Sequence, residues 1–165
     1  MSGHGTFDIR ELSDSDVPAV VRVISDVRKE YGLERRVGTL IEPSDRNLIS
    51  TYQRQRSKYF VALDGTRVVG GAGIAPLGDD HSRICELQRM YLHSEYRRCG
   101  IGRRLLGRCV EAAKSFGYYQ CYAETVREMK EARAFYRAHS FRPLTGPMGD
   151  TGHRHNDCWV LLELK

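Results

Sequence analysis

Residues Arg97-Arg98-Cys99-Gly100-Ile101-Gly102-Arg103-Arg104-Leu105-Leu106 (RRCGIGRRLL) set two glycines between two arginine pairs and then run into a helical pattern. Ile101, Leu105, Leu106, Cys109, Ala112, Ala113 and Phe116 trace one apolar stripe, with Arg103, Arg104, Arg108, Glu111 and Lys114 on the wet side. Gly117 closes the helix. A helix N-terminus presents unpaired N–H groups and a partial positive charge, which together attract phosphate. Glycine at 100 and 102 lets the backbone approach such a group where a Cβ would intrude. The flanking arginines add charge-assisted hydrogen bonds. A plain glycine turn needs no ligand; the arginines are what argue for one.

The loop is neither of the two common phosphate cradles. A P-loop needs Gly-Lys-Ser/Thr, and Gly102-Arg103-Arg104 stands there. A dinucleotide loop needs a third glycine where Leu105 sits. Glu124 falls about twenty residues on, where a ribose-binding acid would lie, but several β-rich runs precede the loop and no second βαβ half follows.

Outward from the loop, SRICELQRMYL (82–92) reads as the strand that feeds it. KYFVALDGTRVVGGAGIA (58–75) is a hairpin, two β-rich runs about Asp64-Gly65. Phe7–Leu12 reads as a strand, and Ser15 or Asp16 caps a helix over Val17–Tyr31, with Val20, Val23, Ile24 and Val27 at helical spacing. A second helix is expected over Ser44–Gln55. Beyond the loop, YYQCYAET is a strand, EMKEARAFYRAHS a helix and DCWVLLEL a C-terminal strand, with another short strand near Phe141–Leu144. The order β-α-α-β-β-β-α-β-α-β is mixed α/β.

The chain has 165 residues, enough for one domain spanning 1–165, and no linker or internal repeat divides it. MSGHGT lacks an apolar core, so no signal peptide is expected, and no apolar run reaches the ~18 residues of a membrane span. Cys85, Cys99, Cys109, Cys121 and Cys158 are odd in number and sit mostly in apolar periodic segments, as reduced thiols do in a cytoplasmic protein. The formal net charge is +5, with Arg97, Arg98, Arg103, Arg104 and Arg108 clustered around the glycines. Nucleic acid would need a wider basic face interleaved with stacking aromatics. A compact phosphorylated ligand suits this clustering better, with neither nucleic acid nor membrane as partner.

These residues resemble the GNAT acyltransferases, the general-control-related N-acetyltransferases. Their pyrophosphate loop, Gln/Arg-x-x-Gly-x-Gly/Ala, is matched by Arg97 to Gly102. ELQRMYL resembles the family's fourth strand, YAET its fifth, and ARAFYRAHSF the helix that follows. The resemblance spans about residues 6 to 164. It implies a central, mostly antiparallel mixed sheet flanked by helices, with the fourth and fifth strands splayed. Arg98 stands where glycine is common, Met129 where a pantetheine-contacting asparagine is frequent, and Ser140 at a helix end that wants φ > 0.

The resemblance implies acetyl-CoA as co-substrate and an amine acceptor. Backbone groups of Met90, Tyr91 and Leu92 meet the pantetheine arm, and an N–H near Met90 polarises the thioester carbonyl. Arg97, Arg98, Cys99, Gly100, Ile101, Gly102 and Arg103 receive the pyrophosphate, and Met129 and Ala132 line the arm. Glu86 is the candidate base for an amine that arrives as ammonium, and Tyr136 the candidate acid for the departing thiolate. The polar segment GDTGHRHNDCW brings Asp150 and His153 to the acceptor side, opposite the loop from Gly32 to Pro43. Asp79 and Asp80 could attract a cationic acceptor. His153, His155 and Cys158 lack the spacing and the fourth ligand of a zinc site, so no metal is expected. Direct transfer in a ternary complex is the leading reading, and a catalytically silent acyl-CoA-binding sensory domain the alternative. Small polyamine, amino acid, antibiotic, peptide N-terminus and protein lysine all remain open as acceptor, and a homodimer remains open as assembly.

Overall fold

The computed structural model describes residues 5–34 and 41–165. Its elements are β1 (Phe7–Glu11), α1 (Val17–Glu30), α2 (Pro43–Arg46), α3 (Leu48–Tyr52), β2 (Lys58–Asp64), β3 (Arg67–Pro76), β4 (Ile84–Leu92), α4 (Ile101–Ser115), β5 (Gln120–Thr125), α5 (Lys130–Ala138), β6 (Arg142–Pro143) and β7 (Cys158–Glu163). Seven strands form one mixed sheet in the order β1-β2-β3-β4-β5-β7-β6. Every pairing is antiparallel except β4 with β5. A parallel neighbour requires a crossover, and α4 supplies it.

Helices cover both faces of the sheet. The stripe of α4 packs with Phe60, Ala62, Ile74, Cys85, Leu87 and Cys121 on one face. On the other, Val20, Val23, Ile24 and Val27 of α1 join Leu48, Tyr52, Tyr59, Val61 and Leu63. Burial from two sides explains why β2 and β3 read as near-continuous apolar runs, not as alternating ones. Of the five cysteines, all unpaired, Cys85, Cys109 and Cys121 are buried and Cys99 and Cys158 half-buried.

Three local expectations need correcting. Neither Ser15 nor Asp16 caps α1 through its side chain: the Asp16 carboxylate turns back to accept the Ser13 N–H at 2.8 Å and the Arg10 guanidinium at 2.6 Å. The helix expected over 44–55 is two short turns broken at Asn47, whose carbonyl accepts from the hydroxyls of Ser50 and Thr51 at 3.0 and 2.9 Å. The Thr51 N–H bonds the same carbonyl at 3.0 Å, so the second turn is intact, and the break is at Asn47 itself, whose φ −107, ψ +37 lie outside the helical region. The last helix begins at Lys130, leaving Met129 outside its first turn. At the other end Ser140 takes φ +70, as its replacement of a helix-ending glycine predicts.

Candidate active site

β4 and β5 pair only over Ile84–Leu87 against Gln120–Ala123. Past Leu87 they part, and β4 bulges: its register with β3 slips between Gly71 and Gly73, and Arg89 takes φ +49. Tyr59 holds the bulge, donating its hydroxyl to the Arg89 carbonyl at 2.9 Å. Its ring occupies the space a Cβ would need at Gly71 and Gly73, where the approach would be 2.6 and 2.5 Å. The glycines of VVGGAGIA therefore form a notch for one aromatic ring, and the bulge it supports opens the cleft.

A cavity of about 820 Å³ lies in that cleft. Met90, Tyr91 and Leu92 of β4 form one wall, Met129, Ala132, Phe135 and Tyr136 the other, and the arginine–glycine loop one end. Gly100 there takes φ +85 and Arg98 φ +61. Among the described residues, no backbone carbonyl accepts from the N–H groups of Arg98 to Arg103; the first bond within the helix runs from the Arg104 N–H to the Gly100 carbonyl at 3.1 Å. A run of free amides at a helix N-terminus fits a pyrophosphate. A Cβ on Gly100 would meet nothing within 4 Å, so glycine is needed there for its conformation. At Gly102 a Cβ would come within 3.3 Å of Phe135, so that glycine is needed for packing.

Three of the five clustered arginines are spoken for. Arg97 donates to both Glu30 oxygens at 2.8 and 2.9 Å and to the Leu92 carbonyl at 3.1 Å. Arg104 donates to the Phe7 carbonyl at 2.8 Å and Arg108 to that of Ile9 at 3.0 Å. Arg97 lines the cavity but its charge faces Glu30, so as a side-chain anion ligand it is corrected; Arg98 and Arg103 have no such partner among the described residues and line the cavity. Cys99 and Ile101 offer only their amides, since the Cys99 thiol donates to the Arg97 carbonyl and Ile101 is core.

A second, smaller chamber of about 100 Å³ adjoins the first and shares Met90, Tyr91, Met129, Ala132 and Tyr136 with it. Glu86 lines this chamber, 6% exposed, and accepts from the Gln88 amide at 2.8 Å. Burial above all pushes its carboxyl up from the usual value; the Gln88 bond opposes, the Glu124 carboxylate adds, and His153 and Arg89 pull back. Arg89 does not pair with Glu86. It turns to Asp45 at 2.8 Å, Tyr52 at 3.1 Å and Ser44 at 2.8 Å.

Asp45 is wholly buried and takes Arg28 on its other oxygen at 2.5 Å, with the Glu42 amide at 2.8 Å. Burial opposes its charge, yet Arg28 and the hydrogen bonds from Arg89 and the Glu42 amide outweigh that and hold the carboxyl below its usual value. Its stabilising effect is therefore present above the ordinary carboxylate pKa and lost as pH falls through the folded one. Asp45→Ala takes the shared carboxylate from two buried guanidiniums and is expected to lower stability by about 3–5 kcal/mol. Urea denaturation measures this, and a loss of less than about 1 kcal/mol, the range of an exposed pair, would show that the guanidiniums find other partners.

Glu124, weighed from sequence only as a ribose ligand, lies across from Glu86. It accepts from Tyr122 at 3.0 Å and from the Thr151 hydroxyl. The His153 imidazole sits 4.0 Å from Glu124 and 3.6 Å from Glu42. Glu86, Glu124 and His153 thus bring ligand-type atoms within 4.8 Å of one another, from three distant parts of the chain. His155, Asn156, Glu42 and Leu33 complete the lining. Of the Gly32–Pro43 loop, residues 35–40 lie outside the described residues, as do residues 1–4 of MSGHGT. Asp150 does not line the chamber: its carboxylate accepts the Gly152 N–H at 3.0 Å and shapes the loop that presents His153. Asp79 and Asp80 are spent too, on the His81 N–H at 2.8 Å and on Arg54 at 2.6 Å.

Tyr136 stands where the two cavities meet. Among the described residues its hydroxyl has no hydrogen-bond partner, and burial first, then nearby Tyr91 and the Cys121 and Cys109 thiols, pushes the phenol above its usual value. It stays protonated at any working pH. The chamber thus offers carboxylates for a cation, the cavity offers amides for an anion, and one hydroxyl faces their junction.

Residues 24–141 match the family model described as acetyltransferase (GNAT) family. The chain is 38% identical over 157 residues, 94% of each chain, to the uncharacterised N-acetyltransferase YjgM of Escherichia coli (strain K12). Its fold resembles that of an acetyltransferase of the GNAT family from Staphylococcus aureus Mu50, with a TM-score of 0.83 and 20% identity, covering 97% of this chain and 100% of the other. It also resembles PaiA N-acetyltransferase from Thermoplasma acidophilum in complex with coenzyme A, with a TM-score of 0.78 and 19% identity, covering 96% and 99%. Among the described residues, no helix is long and apolar enough to cross a membrane.

Proposed function

Because the chain belongs to the GNAT acetyltransferase family, we propose that it moves an acetyl group from acetyl-CoA directly to a primary amine within a ternary complex, the whole chain acting as one catalytic domain. The observation that carries this reading is the meeting of two cavities at Tyr136, one ending in free helix-terminal amides and the other holding Glu86. Coenzyme A is bound by the Thermoplasma relative, and the residues here fit it: amides of Arg98 to Arg103 for the pyrophosphate, the unpaired edge of β4 from Met90 to Leu92 for the pantetheine amides, Met129 and Ala132 against the arm. The asparagine frequent in the family is replaced by an apolar contact at Met129.

Acetyl-CoA supplies the activated acyl carbon. Glu86 takes the ammonium proton at the unpartnered Oε1, and burial, which raises its carboxyl, makes it a stronger base than an exposed glutamate. The amine nitrogen then bonds to the acyl carbon while an N–H near Met90 steadies the oxygen that gains charge. As the C–S bond breaks, the Tyr136 hydroxyl gives its proton to sulfur. Burial makes Tyr136 a weaker acid, but it raises the nearby Cys109 thiol in the same way, so a buried thiolate gains basicity that offsets the loss. A thiolate expelled there is a stronger base than one in water.

Initial rates of thiol release with both substrates varied test the proposal: intersecting lines in double-reciprocal form are expected, and parallel lines would replace direct transfer with an acyl-enzyme. Tight acetyl-CoA binding with no release against any amine would favour the sensory domain.

Gly100 gives a second test. Gly100→Val forces a β-branched side chain to φ +85, a strain of about 1–3 kcal/mol that the chain escapes by refolding the loop. Acetyl-CoA at about a hundredfold excess over its Kd stabilises a binding protein by about 2.7 kcal/mol, seen as a rise in Tm. The rise is expected for the parent and absent for the variant. An undiminished rise in the variant would remove the loop from the cofactor site.

A further inference from the structure

Among the described residues, the acceptor chamber is acidic within a basic protein, and its guanidiniums are already committed. Glu42, Glu86 and Glu124 line it. The guanidiniums that also line it, Arg28 and Arg89, both close on Asp45, and Arg89 spends its remaining nitrogens on Tyr52 and Ser44. Arg28 reaches Tyr91 with its Nε at 3.3 Å and is otherwise engaged. No lysine appears in the lining. His153 lies between Glu42 and Glu124, and His155, which also lines the chamber, has its ring 5.9 Å from that of His153. Meanwhile Glu86 is nine-tenths buried and its Oε1 accepts no bond from a described residue, although the side chain faces the chamber.

A primary ammonium has three N–H donors and no acceptor. Acceptors that take them at about 2.8 Å in tetrahedral directions stand about 4.6 Å apart, and ligand-type atoms of Glu86, Glu124 and His153 all lie within 4.8 Å of one another, near enough to share one ammonium. An α-amino acid brings the same ammonium with a carboxylate two bonds away. Among the described residues, that carboxylate would meet three carboxylates, while the two guanidiniums of the lining are already bonded to Asp45. Like charges at about 4 Å repel by about 4 kcal/mol even at an effective dielectric constant of 20, before any loss of hydration is counted.

We propose that the acceptor is a cationic amine carrying no carboxylate beside the reacting nitrogen, an alkylamine or amine side chain and not a free α-amino acid, with Glu124 as the residue that positions the ammonium and enforces the exclusion. This rests on the acetyltransferase reading of the chamber. It narrows the acceptor by an electrostatic argument independent of the cofactor.

The test uses pairs of compounds that differ only in the carboxylate: cadaverine against lysine, tyramine against tyrosine, agmatine against arginine. Two readouts are taken with the full chain, calorimetric binding of each compound to the protein saturated with coenzyme A, and thiol release with acetyl-CoA. At least one amine is expected to bind tenfold or more tighter than its amino acid. Glu124→Gln is expected to bring that ratio toward one while leaving acetyl-CoA affinity unchanged, which a merely structural Glu124 would not do. Amino acids binding as well as their amines, no binding by any compound, or a ratio untouched by Glu124→Gln would each overturn the proposal. Selective binding without thiol release would keep the specificity and sink the catalytic reading, so the two failures are told apart.

Discussion

Tyr136→Phe is expected to lower the turnover number by about 10²- to 10⁴-fold and to leave acetyl-CoA affinity nearly unchanged. The substitution removes one hydroxyl and keeps the ring, which packs against Phe135 and Phe141 at centroid distances of 5.9 and 5.1 Å. No hydrogen bond to a described residue is lost with it, so the fold should be indifferent. The loss falls on the chemical step, because an unprotonated thiolate reverses the attack. Steady-state thiol release beside calorimetric acetyl-CoA binding, on parent and variant, separates the two. A variant that turns over like the parent would make Tyr136 a core aromatic, and the proton would have to come from water.

Glu86→Gln is expected to act in opposite directions on rate and stability. Near neutral pH turnover should fall by about 10²- to 10⁴-fold, and the deficit should shrink as pH rises, since free amine then becomes abundant without help. A loss equal at every pH would point to a structural or binding role instead. Stability runs the other way. A buried carboxyl whose folded pKa is raised favours the fold when protonated, and that contribution is lost as pH rises from its ordinary range through the raised value. The amide does not ionise and keeps an oxygen for Gln88. The variant should therefore melt higher than the parent at pH 7 and level with it at the acid end of that window. A melting point below the parent's at pH 7 would mean that Glu86 is charged and well paired.

The local parts of this fold were legible because their signals are contiguous. The loop and α4 are a run of glycine, arginine and one apolar stripe, and the hairpin announces itself at Asp64-Gly65. Glu86 and Tyr136 were reachable through the order of strands and the surroundings of each residue. Asp45 was not, since its two guanidiniums come from α1 and the bulge of β4, and a helix that should have run on had to break at Asn47 beside it. Glu124 had a signal that strand periodicity carries. Cys121 and Ala123 face α4, so Tyr122 and Glu124 must point the other way, and parallel register sets Tyr122 beside Glu86. A polar residue on that face, just past the last pair, belongs to the chamber. Asp150 and His153 sit in one loop with similar chemistry, and only the turn that Asp150 closes on Gly152 decides which of them faces inward.

The short seam between β4 and β5 makes the sheet a pair of plates, four strands and three, joined edge to edge over four residue pairs. Rotation about such a joint moves atoms in proportion to their distance from it. Glu86 sits on the seam itself, opposite Tyr122, and so lies almost on the pivot. Arg98, Gly100 and the end of β4 lie far out along the lever. Any opening of the cleft would therefore move its mouth more than the carboxylate at its root. A molecule lying along the cleft would then touch both plates where they part and brace them there, beyond the seam that the α4 packing already spans.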